Sequence, residues 1–115
     1  MSFVVGDGER GSATGEAAVA GPALVVRSGD LVGKQFPLAA DSVEIGRSAT
    51  VDILLDDVTV SRQHARVLRR PDGYYIEDSD SLNGTYVNHR RVESHHLADG
   101  DELQIGKFKL TYLGR

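Results

Sequence analysis

Cysteine and tryptophan are absent from this sequence, and proline occurs only three times in 115 residues. Without cysteine there is no disulfide framework, no thiolate nucleophile and no zinc site built on thiolates. Aromatic residues are only 6% of the chain, so Val, Leu and Ile must fill most of any core. No apolar run approaches the roughly eighteen residues that a membrane-spanning helix needs. The opening Met1-Ser2-Phe3-Val4-Val5-Gly6-Asp7 lacks both the basic region and the long apolar stretch of a secretory leader. A cytoplasmic protein that avoids membranes is therefore expected. Positive charge is also in deficit: thirteen Lys and Arg face seventeen Asp and Glu, a formal net charge of -4. A local basic site remains possible, but broad attraction to nucleic acid is not expected.

What is present divides at Pro22. Residues 1–21 hold five glycines (Gly6, Gly8, Gly11, Gly15, Gly21) with Ala and Ser between them, and three acids against one base. Such a composition buries too little surface to offset the entropy of ordering it, so a flexible tail is expected there. Beyond Pro22, apolar and polar residues alternate in short runs. Val43 and Ile45 flank Glu44, Ala65 and Val67 flank Arg66, and Tyr74 and Ile76 precede Glu77. Leu103 and Ile105 alternate with Glu102 and Gln104, as do Phe108, Leu110 and Tyr112 with Lys109 and Thr111. A period of two marks half-buried strands. Turn chemistry separates them at Ser28-Gly29-Asp30, Pro71-Asp72-Gly73, Asn83-Gly84, Ala98-Asp99-Gly100 and Gly106-Lys107. No long window after Pro22 shows a helical period. About ten short strands with closely spaced turns predict an all-β sandwich, with function carried on its loops.

Several motifs look chemical and fail on context. Gly6-Asp7-Gly8-Glu9-Arg10-Gly11 matches G-x-G-x-x-G, yet no βαβ unit surrounds it. A calcium loop begun at Asp78 would place Leu82, Asn83 and His89 where ligand, glycine and glutamate belong. His95 and His96 are neighbours on a strand and face opposite sides, so they do not form a metal pair. Ser61 and His64 are close enough in sequence to suggest a serine hydrolase, but no nucleophile elbow accompanies them. Arg66, Arg69, Arg70, Arg90 and Arg91 would be the basic face of a nucleic-acid binder. Charges that alternate along strands are more simply the wet side of a sheet. Arg90 and Arg91, following Asn88-His89 in a hairpin, also stand where they could border a peptide site.

Three short segments concentrate anion-binding groups: Gly46-Arg47-Ser48, Thr59-Val60-Ser61-Arg62-Gln63-His64, and Ser81-Leu82-Asn83-Gly84-Thr85-Tyr86-Val87-Asn88. Arginine offers a planar fork to phosphate, hydroxyls supply short neutral bonds, and glycine admits backbone N–H groups. Asparagine carries donors and an acceptor suited to another chain's backbone.

The ordered set Gly46-Arg47, Ser61-x-x-His64 and Asn83-Gly84-Thr85 resembles the forkhead-associated (FHA) domain, over about residues 23–113. Asp56-Asp57-Val58-Thr59-Val60-Ser61-Arg62 and Gln104-Ile105-Gly106-Lys107-Phe108 are similar to the small actinobacterial FHA regulators of the GarA/OdhI type. The resemblance implies an FHA-type β-sandwich of ten or eleven strands spanning 22–115, not an enzyme and with no cofactor, that binds phosphothreonine peptides downstream of Ser/Thr kinases. It implies that Arg47, Ser48, Ser61 and Arg62 meet the phosphate. Asn83 would bond the peptide backbone, Asn88 would assist, and Gly46, His64, Gly84 and Thr85 would support the site. A small apolar pocket for the threonine methyl would favour phosphothreonine over phosphoserine.

The GarA/OdhI likeness implies an alternative: phosphate-independent docking on 2-oxoglutarate dehydrogenase, inhibiting it. Regulators of that type are switched off when kinases phosphorylate a threonine pair in the tail. Residues 1–21 hold one threonine, Thr14, and no such pair. A monomer is expected. Energetically the phosphate reading is sufficient: a few charge-assisted bonds at roughly 1.5–3 kcal/mol each supply much of the ~8 kcal/mol of a micromolar complex.

Overall fold

The computed structural model describes residues 21–114. The expected tail, the glycine run at 6–11 and Thr14 lie outside the described residues, Gly21 excepted. Eleven strands follow one another among them: β1 (Ala23–Val26), β2 (Gln35–Pro37), β3 (Ser42–Gly46), β4 (Ile53–Leu54), β5 (Ala65–Arg70), β6 (Gly73–Asp78), β7 (Thr85–Val87), β8 (Arg90–Val92), β9 (Ser94–His96), β10 (Glu102–Ile105) and β11 (Phe108–Leu113). No helix long and apolar enough to cross a membrane occurs among the described residues.

The strands form two sheets. One runs β9-β6-β5-β3-β4, the other β2-β1-β11-β10-β7-β8. Neighbouring strands run antiparallel, except that β3 and β4 are parallel, with Ile45 opposite Ile53. The alternation seen in the sequence is the alternation of burial. Val43 and Ile45 of β3, Val67 of β5, Leu103 and Ile105 of β10, and Phe108, Leu110 and Tyr112 of β11 all point into one shared core. Each aliphatic side chain among them contributes about 1.5–3 kcal/mol by leaving water, which is how so few aromatics suffice. β1 departs from alternation. Leu24 and Val26 enter the core, while Ala23 and Val25 on its other face are buried as well.

Register places the loops. Ile45 pairs with Ala65, Ala65 with Asp78, and Ile105 with both Thr85 and Phe108. The end of β3, the start of β5, the end of β6, the start of β7 and the β10–β11 turn therefore share one end of the sandwich. The segment 79–84 also crosses there from one sheet to the other. On the flank, Glu93 alone separates β8 in one sheet from β9 in the other.

Candidate functional site

The three segments singled out in the sequence meet at this loop end. Gly46 closes β3 and is buried, and a Cβ there would run into the Arg62 carbonyl. That close approach lets the Arg47 N–H donate to the Ser61 and Arg62 carbonyls at 3.0 and 3.2 Å. The Ser48 N–H donates to the Arg62 carbonyl at 3.1 Å. The Arg47 side chain is steadied by Nε donating to the Val60 carbonyl at 3.0 Å. Its two Nη groups have no partner among the described residues, and the residue is exposed. The Ser48 hydroxyl lies 3.0 Å from that of Thr50 and accepts the Thr50 N–H at 3.3 Å. Ser48 thus shapes its own loop more than it faces outward.

His64 joins two of the loops. It is fully buried. Its Nδ1 accepts the Ser61 N–H at 3.0 Å, which leaves the proton on Nε2 to donate to the Gly84 carbonyl at 2.8 Å. Neither nitrogen serves the Ser61 hydroxyl, so no base activates Ser61. The hydrolase alternative fails on this geometry. Ser61 Oγ instead accepts the Leu82 N–H at 3.0 Å. With a lone pair so occupied, its hydrogen is free to donate, and an anion is the complementary partner.

Carboxylates that sequence reasoning missed hold the loops in shape. Asp57 accepts the Thr59 N–H at 2.9 Å and the Thr59 hydroxyl at 2.5 Å, and lies 3.3 Å from Lys107 Nζ. The Thr59 bonds, with help from Lys107, pull its carboxyl down to about 2. Asp78 accepts the Ser81 hydroxyl and N–H at 2.5 and 3.1 Å and the buried Thr85 hydroxyl at 2.7 Å. Burial pushes Asp78 up, but these hydrogen bonds outweigh it and leave the carboxyl below its ordinary range. Ser81 Oγ in turn accepts the Gly84 N–H at 2.9 Å. The one available signal was that each aspartate sits two or three residues before a Thr or Ser, the spacing of an Asx turn.

Asn83 is exposed and donates one N–H to the Thr59 carbonyl at 2.9 Å, leaving its carbonyl oxygen open. Arg62 is exposed, with no carboxylate partner among the described residues. Asn88 is not brought to this cluster. It stands at the far end of β7, where its Nδ2 donates to Asp101 at 3.0 Å and its oxygen accepts the Glu102 N–H at 3.0 Å. With φ of 50° at Asn88 and 70° at His89, the pair forms the two-residue turn between β7 and β8.

Three of the five arginines of the nucleic-acid alternative are engaged by carboxylates. Arg66 and Arg70 both meet Glu77, at 3.2 and 2.9 Å, and Arg69 meets Asp41 at 2.9 Å. His95 and His96 diverge: His95 pairs with Asp101 at 3.2 Å, and His96 stacks on Tyr75 at 4.4 Å between ring centroids.

A two-sheet sandwich whose loops present an open guanidinium and a hydroxyl hydrogen, with no activated nucleophile, is a ligand-binding module. The FHA domain model matches residues 43–106, and the chain belongs to that family. Among curated proteins it is 50% identical over 90 residues to the oxoglutarate dehydrogenase inhibitor of Corynebacterium jeikeium, covering 78% of this chain and 62% of that protein. It is 49% identical over 90 residues to the glycogen accumulation regulator GarA of Mycolicibacterium smegmatis, covering 78% of this chain and 57% of that protein. The chain thus spans less than two thirds of the length of these relatives. In structure it is similar to an FHA domain solved in a study of phosphothreonine-dependent FHA interactions. That match has a TM-score of 0.77 and 29% identity, over 84% of this chain and 98% of the other.

Proposed function

We propose that this chain binds phosphothreonine in partner proteins, downstream of Ser/Thr protein kinases, with phosphate-independent docking on a 2-oxoglutarate dehydrogenase complex as the second reading. The observation that carries the first part is the pairing of Arg47 and Ser61. Hydrogen bonds fix both loops, while two Nη groups and one hydroxyl hydrogen remain without an acceptor among the described residues. A phosphate with three acceptor oxygens and close to two negative charges answers that set. Arg62 adds charge, Asn83 holds the peptide backbone, and Gly46, His64, Gly84 and Thr85 fix the geometry. Asn88 acts at a distance, through the turn it makes.

Phosphopeptide titration followed by amide NMR tests this. Shifts at Gly46–Ser48, Thr59–Arg62 and Ser81–Asn83 are expected with phosphothreonine peptides and not with unphosphorylated controls. Arg47→Ala is expected to keep the folded spectrum and weaken binding about thirtyfold or more, about 2 kcal/mol or above, the value of lost charge-assisted bonds. An Arg47→Ala protein that binds as before would sink the assignment.

The likeness to a named oxoglutarate dehydrogenase inhibitor supports the second part. So does the rim of the site, where Val58 and Leu82 are 91% and 86% exposed. Apolar side chains on these loops suit a protein surface, and docking there need not require phosphate. Inhibition of the purified complex by wild type, by Arg47→Ala and by Val58→Asp separates the modes. Phosphate-independent docking predicts loss with Val58→Asp and little change with Arg47→Ala.

A further inference from the structure

Beside Asn83 a cleft of about 480 Å³ opens on the outer face of the six-stranded sheet, lined among others by Gly84, Tyr86, His89, Gln104 and Lys107. Gln104, Tyr86 and Arg91 are register partners in a row across β10, β7 and β8. The inward residues Thr85 and Val87 are buried, so this row faces outward. Arg91 does not line the cleft itself but stands beside its Gly84 wall: a Cβ on Gly84 would stand 2.8 Å from the Arg91 Nε and 3.1 Å from its Cζ. The glycine, at φ +88°, is what leaves room for the guanidinium.

The basic residues around this cleft are not equivalent. Lys107 is held 3.3 Å from Asp57 and 3.8 Å from Asp30. His89 is 3.4 Å from Glu102. Arg91 is exposed and has no carboxylate within ion-pair distance among the described residues, although Glu77, Asp78, Asp80 and Glu93 line the neighbouring hollow with it. Unlike Lys107 and His89 it makes no ion pair among the described residues, and it stands beside Gly84, the residue after Asn83.

We propose that Arg91 is a specificity-determining residue that reads a carboxylate side chain on the peptide segment crossing Asn83 and the cleft. The inference rests on the phosphothreonine reading, and names the class of peptide that site prefers: phosphothreonine with a neighbouring Asp or Glu. The planar fork of Arg91 suits a carboxylate, and it lies beside Gly84, the residue after Asn83.

The test is a set of phosphothreonine peptides in which one Asp is walked through the positions on either side of the phosphothreonine in an otherwise neutral sequence. Affinities are measured for wild type, Arg91→Gln, Arg91→Lys and Arg91→Glu. At one position Asp is expected to improve wild-type affinity by up to about fivefold over Ala, the upper range of an exposed charge pair, and the gain shrinks in high salt. Arg91→Lys retains the gain in part, Arg91→Gln brings the ratio to about one, and Arg91→Glu reverses it in favour of Lys at that position. A merely structural Arg91 would not reverse the preference. A wild type indifferent to Asp at every position, or a gain that survives in a folded Arg91→Gln protein, overturns the inference while leaving the phosphothreonine reading intact. Failure of every phosphopeptide to bind overturns the reading itself.

Discussion

His64 holds the candidate site together from within the fold. Its ring fills a fully buried position and ties Ser61 to Gly84, two loops brought together from separate parts of the chain. His64→Ala is expected to cost about 2–4 kcal/mol in urea unfolding, from the cavity and from a buried N–H and carbonyl left without partners. Asp57 works at the same scale through charge. Its carboxyl is held at about 2, below the ordinary 3.8, by the Thr59 bonds and Lys107. A carboxyl depressed in the folded state contributes fully above its unfolded value and loses that contribution as pH falls toward its folded one. Thermal midpoints of the wild type are therefore expected to drop between about pH 4 and 2 more steeply than those of Asp57→Asn. Equal slopes would remove Asp57 from the loop's support. These residues also show where the sequence was legible and where it was not. Arg47, Ser61 and Asn83 declare themselves because their side chains suit an outside ligand. Asp57 and Asp78 do not, since an aspartate bonding its own loop reads in sequence as any polar turn residue.

At the scale of the element, β3, β5, β10 and β11 were visible in advance, because each has one dry face and one wet face. β1 was less clear, since Ala23-Leu24-Val25-Val26 is buried on both sides and its run has no period. β4, with two residues, is too short to show one. The β7–β8 hairpin corrected the reading of Asn88. An asparagine serves a peptide backbone or a left-handed turn equally well, and only the register, with Val87 opposite Arg90, decides for the turn. That turn contains a strained residue. His89 adopts φ of 70°, where a side chain costs about 1 kcal/mol and glycine costs almost nothing. His89→Gly is expected to raise stability by about 0.5–1 kcal/mol in chemical denaturation, since the exposed pair with Glu102 returns little. A destabilised variant would show that the His89 contact outweighs the strain.

At the scale of the molecule, recognition is separated from the outer face of the five-stranded sheet. The arginines of β5 are paired off against Glu77 and Asp41, while Arg47, Arg62 and Arg91, without ion pairs among the described residues, flank the loops. The net charge of -4 therefore hides a small basic site. The self-association that commonly troubles β-proteins is also countered. The terminal strands of the two sheets are β9 and β4, and β2 and β8, each of two or three residues. Strands so short offer few free ladder groups to another chain, so the protein is expected to stay monomeric at high concentration by light scattering. A concentration-dependent dimer would require a surface other than these edges.

The single-residue crossing at Glu93 has a further consequence for how a peptide must approach. It seals one flank of the sandwich covalently, and the opposite flank ends in a two-residue strand and in Pro37, which has no N–H to give. A partner segment cannot enter as an added strand and borrow affinity from repeated backbone bonds. It has to arrive end-on, held at a few points by side chains from separate loops. Each of those points then counts for more, so in the phosphothreonine mode proposed above the loss of the phosphate alone is expected to release the peptide.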